Sequence, residues 1–448
     1  MPRLFERLGL GRPELRAWAL YDWANSAWVL TIQTAVFPYY FLNVAAAGLD
    51  ETVALQRYTW TTSIAMAVIA LAAPILGAAA DYMGARKRML GTFVALGVMA
   101  TACMYFIQQG DWLLAAILFG AANIGVQGGF AFYNSLLPHI AREGEVDRVS
   151  TAGYAIGYLG SAMLLALQIG WIFWPGAFGL PSGEGLSSAE ATLPTRLAFL
   201  SVAVWWALFS IPLFRRVPEP PRRIEADELP GQRPVRMALV RLSETFRDVR
   251  SHRQAFLMLI AFLVYNDGIG TIIRMAEIYG ASLGLDHSAL VGAIFVAQLV
   301  GIPCTFLFAG LAGRVGPKHA ILMGLGVYVG VTIYAYFLDS AAEFYAMAVV
   351  VGIVQGGTQA LSRSMFASLI PRHMTGEFFG FYGVLDRFAA ITGPALFGIG
   401  VAVTGSVRSG VLSVLVYFIL GAILLTRVDV EAGRKAARAA EEGLILAE

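Results

Sequence analysis

Long apolar runs recur along the chain, and short polar segments separate them. A run of about 20 apolar residues is long enough to cross a bilayer as a helix. The pattern predicts about twelve spans, at residues 17–43, 55–80, 88–108, 112–134, 150–174, 195–214, 255–281, 289–312, 318–338, 342–365, 377–403 and 408–427. The predicted fold class is therefore an all-α membrane protein, and the runs are numbered spans 1 to 12.

Composition agrees with a membrane environment. Hydrophobic residues make up 58% of the 448 residues and charged residues 14%, whereas soluble domains carry about 25% charged residues. The mean hydropathy is +0.66. No cofactor, phosphate-binding loop or nucleophile–base pair is evident, so the sequence does not predict an enzyme.

No metal site is predicted either, because the cysteines and histidines lack metal-ligand spacing. The histidines fall in or beside loops, where we expect solvent contact: His139, His252, His287, His319 and His373.

The distribution of basic residues predicts the orientation. With both termini in the cytoplasm, 26 of the 32 Lys and Arg residues fall in cytoplasmic segments. Only Arg57, Arg196 and Arg408 fall on the other side, and three further arginines lie within spans.

The segment between the two sets of six spans is basic and partly amphipathic. Residues 215–253 hold ten arginines, with apolar positions on one helical face after residue 234. This pattern is typical of a helix on an anionic leaflet, although a calmodulin target or a nucleic-acid segment is an alternative. The predicted division is a bundle at 1–214, a cytoplasmic linker at 215–253, a second bundle at 254–428 and a cytoplasmic tail at 429–448. We expect the lipid bilayer as a partner, and neither nucleic acid nor an obligate protein partner.

The two halves repeat each other. VQGGFAFYNSLLPHI at 126–140 is similar to VQGGTQALSRSMFASLIPRH at 354–373. GAAADYMGARKRML at 77–90 is similar, more weakly, to AGLAGRVGPKHAIL at 309–322. The repeats predict two parallel six-helix bundles, a layout found in secondary transporters.

Four spans carry a polar stripe. In span 1 the polar positions fall within an arc of about 100° when the residues are placed on a helix. Exposing such groups to lipid costs roughly several kcal/mol. The stripes are therefore expected to face a substrate or coupling cavity. Their members are Asp22, Asn25 and Gln33 in span 1, Asn123 and Gln127 in span 4, Asp267, Arg274 and Glu277 in span 7, and Gln355 and Gln359 in span 10.

Structural alternatives accompany these assignments. Asp22 can pair only to satisfy its own charge, and Asp267, Arg274 and Glu277 can form a salt bridge needed only to bury the arginine. Charged residues in spans 10 and 11 are candidates for a gate: Arg363, Asp386 and Arg387. The aromatic residues of span 1 are expected to form an interfacial belt: Trp18, Tyr21, Trp23 and Trp28. Small residues of span 5 are expected to pack against a helix: Gly153, Gly157 and Ser161.

The loop between spans 2 and 3 resembles the signature of the major facilitator superfamily, G-x-x-x-D-x-x-G-x-R-[KR]-[KR]. The matching residues, a gating loop in that superfamily, are Gly77, Asp81, Gly84, Arg86, Lys87 and Arg88. YDWANSAW in span 1, STAGYAIGYLGS in span 5 and VYNDGIG in span 7 resemble the vacuole-effluxer branch, which comprises fungal vacuolar amino-acid effluxers and bacterial relatives. The second half departs from the signature, since Gly313-Arg-Val-Gly-Pro-Lys318 has no acid at the position of Asp81.

The resemblance implies that spans 1, 4, 7 and 10 line the central cavity, and that Asp81 holds the cytoplasmic side shut through basic residues and the start of span 11. It implies a secondary active transporter of a small polar solute, with amino acids expected. Alternatives are a proton-coupled exporter of drugs or metabolites, or a membrane receptor or scaffold that transports nothing. The expected location is the plasma membrane in a bacterium or the vacuolar membrane in a fungus.

Overall fold

The computed structural model describes residue 6 and residues 8–142, 145–220, 252–375 and 403–445, with short stretches between 378 and 401. The regular elements of these residues are all helices, and no strand occurs among them. Nine helical segments of the described residues are long and apolar enough to cross a membrane, with Val407–Thr426 counted as one. The predicted all-α membrane fold is confirmed.

The helices follow predicted spans 1 to 10 closely. They are α1 (Pro13–Trp28), α2 (Glu51–Met83), α3 (Arg86–Cys103), α4 (Trp112–Ile140), α5 (Val146–Phe173), α6 (Leu193–Arg216), α7 (Arg253–Ser282), α8 (His287–Val315), α9 (Pro317–Tyr336) and α10 (Ala341–Ser368). Predicted span 12 is divided into α11 (Val407–Ser413) and α12 (Leu415–Thr426). Predicted span 11 lies mostly outside the described residues, and a helix α13 (Val430–Ile445) occupies the predicted tail.

The second half of span 1 departs from regular α-helix. Beyond α1 the chain continues as two π-helical segments, Val29–Ala35 and Phe41–Ala45, with a short helix between them. Pro38 lies in that short helix, where it removes one backbone donor. The amide of Val36 donates to the carbonyl of Thr31, a wide i→i+5 turn. Wide turns of this kind occur frequently at functional sites.

Two glycines separate helix pairs at equivalent positions of the repeat. Gly84 ends α2 before α3 with φ 60°, and Gly316 ends α8 before α9 with φ 84°. Positive φ is costly for any residue with a Cβ, which explains the second glycine of the signature. The two loops of the weak repeat therefore share a glycine with positive φ.

The buried apolar side chains form two main clusters, one within residues 10–217 and the other within residues 255–428. Helix α5 of the first half packs against α8 and α10 of the second. A Cβ added to Gly356 would lie 2.6 Å from Cε2 of Tyr158, so glycine permits this close approach. The exact boundaries 1–214, 215–253 and 254–428 stay predictions, and most of the predicted linker lies outside the described residues.

One end of the bundle, which we call the basic face, carries the segments 8–12, 84–86, 141–142, 369–375 and 427–445 together with residue 145. Side chains connect these segments across the face. Arg12 Nη2 donates to the carbonyl of Ile140 at 2.8 Å and to Glu145 Oε2 at 2.7 Å.

Glu145 carries an altered acidity at this face. Partial burial acts to raise the pKa of Glu145, but the backbone N–H of Arg142 and the guanidinium of Arg12 outweigh it. The pKa of Glu145 therefore lies below its ordinary value, and the carboxylate stays charged opposite Arg12.

Candidate functional site

A buried ion pair joins the two halves. Nη1 of Arg363 in α10 lies 3.4 Å from Oδ2 of Asp22 in α1, and Nη2 lies 3.4 Å from the same oxygen. Asp22 is 3% exposed and Arg363 is 2% exposed. A charge buried this deeply requires a partner, and each of these residues provides it for the other. The sequence placed Asp22 in a cavity and Arg363 at a gate, but did not predict that they meet.

The remaining hydrogen-bonding groups of the guanidinium are also satisfied, all by the first half. Nε donates to Ser150 Oγ and Nη2 to the Ser150 carbonyl, each at 2.9 Å. Nη1 donates to Asn134 Oδ1 at 3.3 Å. Ser150 Oγ in turn donates to the carbonyl of Ala360 in α10 at 2.9 Å, which adds a second bond between the halves.

Asp22 has further support within its own half. Tyr133 Oη donates to Asp22 Oδ2 at 2.9 Å, so that one carboxylate oxygen accepts from Tyr133 and from Arg363. The sequence does not predict a polar role for Tyr133, because this residue lies in an apolar stretch of span 4.

Aromatic rings surround the guanidinium. Its central carbon lies 4.3 Å from the ring centre of Tyr154 and 4.8 Å from that of Trp18. Trp18 also stacks on Tyr133, with ring centres 4.5 Å apart. Rings at these distances attract a cation through their faces, and they exclude water from the ion pair.

The predicted interfacial belt is wrong for three of its four residues. Trp18, Tyr21 and Trp28 are buried in the protein with no exposed surface. Trp18 faces the ion pair, and Trp28 donates from Nε1 to Thr101 Oγ1 at 3.0 Å. Aromatic side chains that have a polar atom are found both at interfaces and at buried hydrogen bonds, so composition alone does not distinguish the two.

Small residues of α5 bring that helix against α1. A Cβ on Gly153 would lie 2.7 Å from Asp22 Oδ2, and one on Gly157 would lie 2.6 Å from Ser26 Oγ. The packing role expected for these glycines holds, and Gly153 in addition leaves the space that the ion pair occupies. Gly160 adds a further close contact, against the ring of Trp23, and Ser161 is buried.

A second connection between the halves lies at the basic face. His139, at the end of α4, contacts Nη1 of Arg86, and its Nε2 lies 3.1 Å from Thr375 Oγ1 of the second half. Thr375 Oγ1 also lies 3.3 Å from the carbonyl of Ser135, to which it donates. His139 is half-buried, and beyond the solvent contact expected for it, it joins the two halves. The feature of the sequence that indicates this contact is Arg86, because an arginine of the gating loop needs a partner from another segment.

Other signature residues fix the loop in place. Lys87 donates from Nζ to the carbonyl of Val217 at 2.8 Å, and its backbone N–H donates to Glu219 Oε1 at 2.7 Å. Gly77 is buried, and Arg88 is exposed. Asp81 belongs to α2, but its side chain lies outside what the structure describes, so its predicted contacts stay predictions.

Two asparagines of the predicted cavity are buried where α1 meets α4. Asn25 and Asn123 are each 1% exposed, and neither amide group has a hydrogen-bond partner among the described residues. The two helices run antiparallel and are joined by two aromatic contacts, Trp18 with Tyr133 and Trp28 with Phe119. Both asparagines lie between these contacts. The four amide atoms are available for a polar group that the chain itself does not provide.

The glutamines predicted for the cavity are half-buried: Gln33, Gln127, Gln355 and Gln359.

In the second half Asp267 is buried and accepts a hydrogen bond from Thr392 Oγ1. Tyr265 and Ser362 join α7 to α10 through their hydroxyl groups at 2.6 Å. The side chains of Arg274 and Glu277 lie outside the described part, as do the whole residues Asp386 and Arg387. Their predicted roles stay predictions.

No group of three or more His, Cys, Asp or Glu side chains that could hold a metal ion occurs in the part of the chain described.

These apolar helices in two similar halves, joined by a buried carboxylate–guanidinium pair, define a transporter of the major facilitator type. Among solved structures, a proton:xylose symporter of the major facilitator superfamily, XylE, is similar with a TM-score of 0.65 and 13% identity, over 93% of this chain and 95% of that one. This likeness shows the shared fold. The family is shown by sequence: the model of the vacuole effluxer Atg22-like family matches residues 56–438, and the chain belongs to that family.

Curated relatives agree with this assignment. An uncharacterized MFS-type transporter of Bacillus subtilis, YxiO, is 36% identical over 416 residues, which cover 93% of this chain and 94% of the relative. The autophagy-related protein 22-2 of Aspergillus niger is 25% identical over 90% of this chain and 79% of its own length. Both the predicted superfamily and the predicted branch are confirmed.

Proposed function

We propose that this major facilitator protein is a secondary transporter that moves small polar solutes, amino acids first among them, by alternating access. The observation that carries the proposal is the Asp22–Arg363 pair. The pair is buried and connects the first half to the second. It can form only while the two halves are in contact at the depth where the pair lies.

The pair suits a step that alternates. In the state described, the guanidinium is saturated by Asp22, Asn134 and Ser150. When the halves separate here, both charges need new partners, and a solute with an ammonium and a carboxylate group offers one to each. A zwitterionic amino acid satisfies both, whereas a neutral sugar satisfies neither.

Neutral polar groups near the pair extend the proposed site. Asn25 and Asn123 offer unpartnered amide groups one helical turn or more from Asp22. Gln355 and Gln359 lie on α10, the helix that carries Arg363. In span 7, Arg274 is proposed to share the solute carboxylate with Arg363, through its planar fork.

We propose further that the basic face lies in the cytoplasm, with the membrane portion divided at 215–253. Positive loops remain on the side where a membrane protein is made. A Lys435→Cys variant should then react with an impermeant maleimide in inverted vesicles and remain unlabelled in intact cells. The reverse labelling pattern would contradict this orientation.

Counterflow in proteoliposomes tests the function. Vesicles loaded with an unlabelled solute are tested for uptake of the same labelled solute, across neutral amino acids, sugars, nucleosides and lipophilic cations. We expect exchange of neutral amino acids by the wild type and by Glu184→Gln, a control in an exposed loop. Asp22→Asn should insert normally but fail to accumulate solute under an imposed pH gradient.

Each other result assigns a different function. Exchange of lipophilic cations or another metabolite without amino acids would favour the exporter. Absence of exchange for every solute, with a correctly folded protein, would favour a receptor or scaffold. Equal accumulation by Asp22→Asn and the wild type would remove Asp22 from ion coupling.

A further inference from the structure

A cleft opens at the basic face between the first half and helix α13. It encloses about 250 Å³. The wall from the first half is formed by the end of α4 and the start of α5, including Pro138, Val146 and Asp147. The opposite wall carries Arg372, which follows α10, and residues of α13.

Helix α13 is packed against the second half and hydrogen-bonded to it. Glu441 Oε1 accepts a hydrogen bond from the backbone N–H of Arg372 at 2.8 Å. Gly433 lies against Gln254 and Leu369 so closely that an added Cβ would be 2.9 Å from the Cβ of Gln254. Since these contacts hold the helix at both ends, the arginines on its cleft side have defined positions.

The cleft has an excess of positive charge. Three arginines line it, Arg372, Arg434 and Arg438, against two acids, Asp147 and Glu441. Glu441 already accepts a backbone hydrogen bond, so Asp147 is the acid least engaged. The net charge of the lining is therefore positive.

Two of these arginines have donors to spare. Arg434 donates from Nε to Ser368 Oγ at 3.2 Å, which fixes the plane of its guanidinium. Within the described residues, no protein group accepts from its two terminal nitrogens, and none accepts from the Arg372 guanidinium. A pair of guanidinium forks with unused terminal N–H groups is the arrangement that binds phosphate oxygens in two places at once.

We propose that this cleft is a binding site for a phosphate-type anion, held by Arg372, Arg434 and Arg438. The anion can be inorganic phosphate or the headgroup of an anionic phospholipid, since both present the same oxygens. All three arginines belong to the second half, and the wall from the first half contributes apolar side chains and the carboxylate of Asp147. This proposal does not depend on which solute the protein transports.

Thermal stability of the purified full-length protein tests the site. One arm adds inorganic phosphate to protein in neutral detergent, at ionic strength matched with chloride. The other compares nanodiscs of phosphatidylcholine with nanodiscs that also contain phosphatidylglycerol. The variants are Arg434→Gln, Arg372→Gln and Asp147→Asn, with Lys435→Gln as the matched control, because Lys435 is exposed on α13 and does not line the cleft.

We expect the anion to raise the melting temperature of the wild type and of Lys435→Gln. Loss of one charge-assisted contact should weaken binding about tenfold to a hundredfold in Arg434→Gln and in Arg372→Gln. Asp147→Asn should bind more tightly, because a repelling carboxylate is removed. This third variant keeps the test valid even if an arginine variant is unstable.

The two arms identify the source of the phosphate group. Stabilisation by inorganic phosphate identifies a soluble anion, and stabilisation only in phosphatidylglycerol nanodiscs identifies a lipid headgroup. The proposal is overturned if neither anion stabilises the wild type. It is also overturned if Lys435→Gln loses the effect as fully as Arg434→Gln, because binding would then follow total charge.

Discussion

Removing one charge from the Asp22–Arg363 pair should open the basic face. Asp22→Asn keeps the size of the side chain and can still accept from Tyr133 through its amide oxygen, but it takes away the negative charge 3.4 Å from the guanidinium. At that separation, the Coulomb energy between unit charges is about 5 kcal/mol with an effective dielectric constant near 20. Part of this is regained when Arg363 is hydrated in the open state.

The expected change in population follows from that energy. We take about 2 kcal/mol as the part of this energy that stabilises only the closed state. Its loss raises the ratio of open to closed molecules about thirtyfold. A cysteine at Ser135 reports this change. Ser135 is buried, and its carbonyl accepts from Thr375 across the boundary between the halves.

The assay measures the rate at which maleimide modifies Ser135→Cys in a protein whose native Cys103 and Cys304 are replaced by alanine. Asp22→Asn should raise this rate by at least tenfold, and Arg363→Gln should do the same. The double variant should be no faster than the faster single variant, since both remove one interaction. Glu184→Gln should leave the rate unchanged.

Two results would refute the reasoning. If both single variants fold normally and react at the wild-type rate, the ion pair does not hold the basic face closed. If the two effects on the free energy of opening simply add in the double variant, each residue acts through a separate contact.

Four further outcomes are expected. Gly153→Ala should lower thermal stability by about 1–3 kcal/mol, since its Cβ crowds the ion pair, and stability equal to the wild type would show that α5 moves aside. Asp81→Ala should raise the maleimide rate of the reporter cysteine, whereas an unchanged rate would limit Asp81 to positioning its loop. Arg274→Lys should severely impair amino-acid counterflow because lysine keeps the charge but lacks the fork, and full activity would make the arginine structural. Because the pKa of Glu145 is lowered in the folded protein, its bond to Arg12 adds stability at neutral pH that is lost as the pH falls through the acidic range. The protection factors of the amides at residues 12–16, which correct for the intrinsic slowing of exchange in acid, should fall over that range in the wild type, and Glu145→Gln should show low protection at every pH.

The apolar pattern predicted helix positions well because membrane length sets a narrow requirement for each span. Ten predicted spans differ from the helices α1 to α10 mainly by a few residues at their ends, apart from span 1. The irregular part of span 1 was not predicted, because π-helical turns depend on how Pro38 and its neighbours pack. Helix α13 was also missed, since a short charged segment resembles an unstructured tail until its small residues meet a partner.

Asp22 and Arg363 were both predicted as functional residues, but the contact between them was not predicted. A helical stripe places Asp22 toward the protein interior, and a buried arginine in span 10 requires an acid. Nothing in one sequence says which acid, because several spans carry one. Tyr133 and Tyr154 were missed for a different reason: an aromatic residue in an apolar run has the same periodicity whether it packs against lipid, a helix or a cation.

The Asp22–Arg363 pair also has a consequence for how the protein is made. The two residues are 341 positions apart, and a ribosome adds about 5–20 residues each second. The first half therefore exists in the membrane for roughly 20 to 70 seconds before its cation is synthesised. During that interval the Asp22 carboxyl must be hydrated or carry a proton, so a chain interrupted before span 10 retains an unpaired acid inside its first bundle.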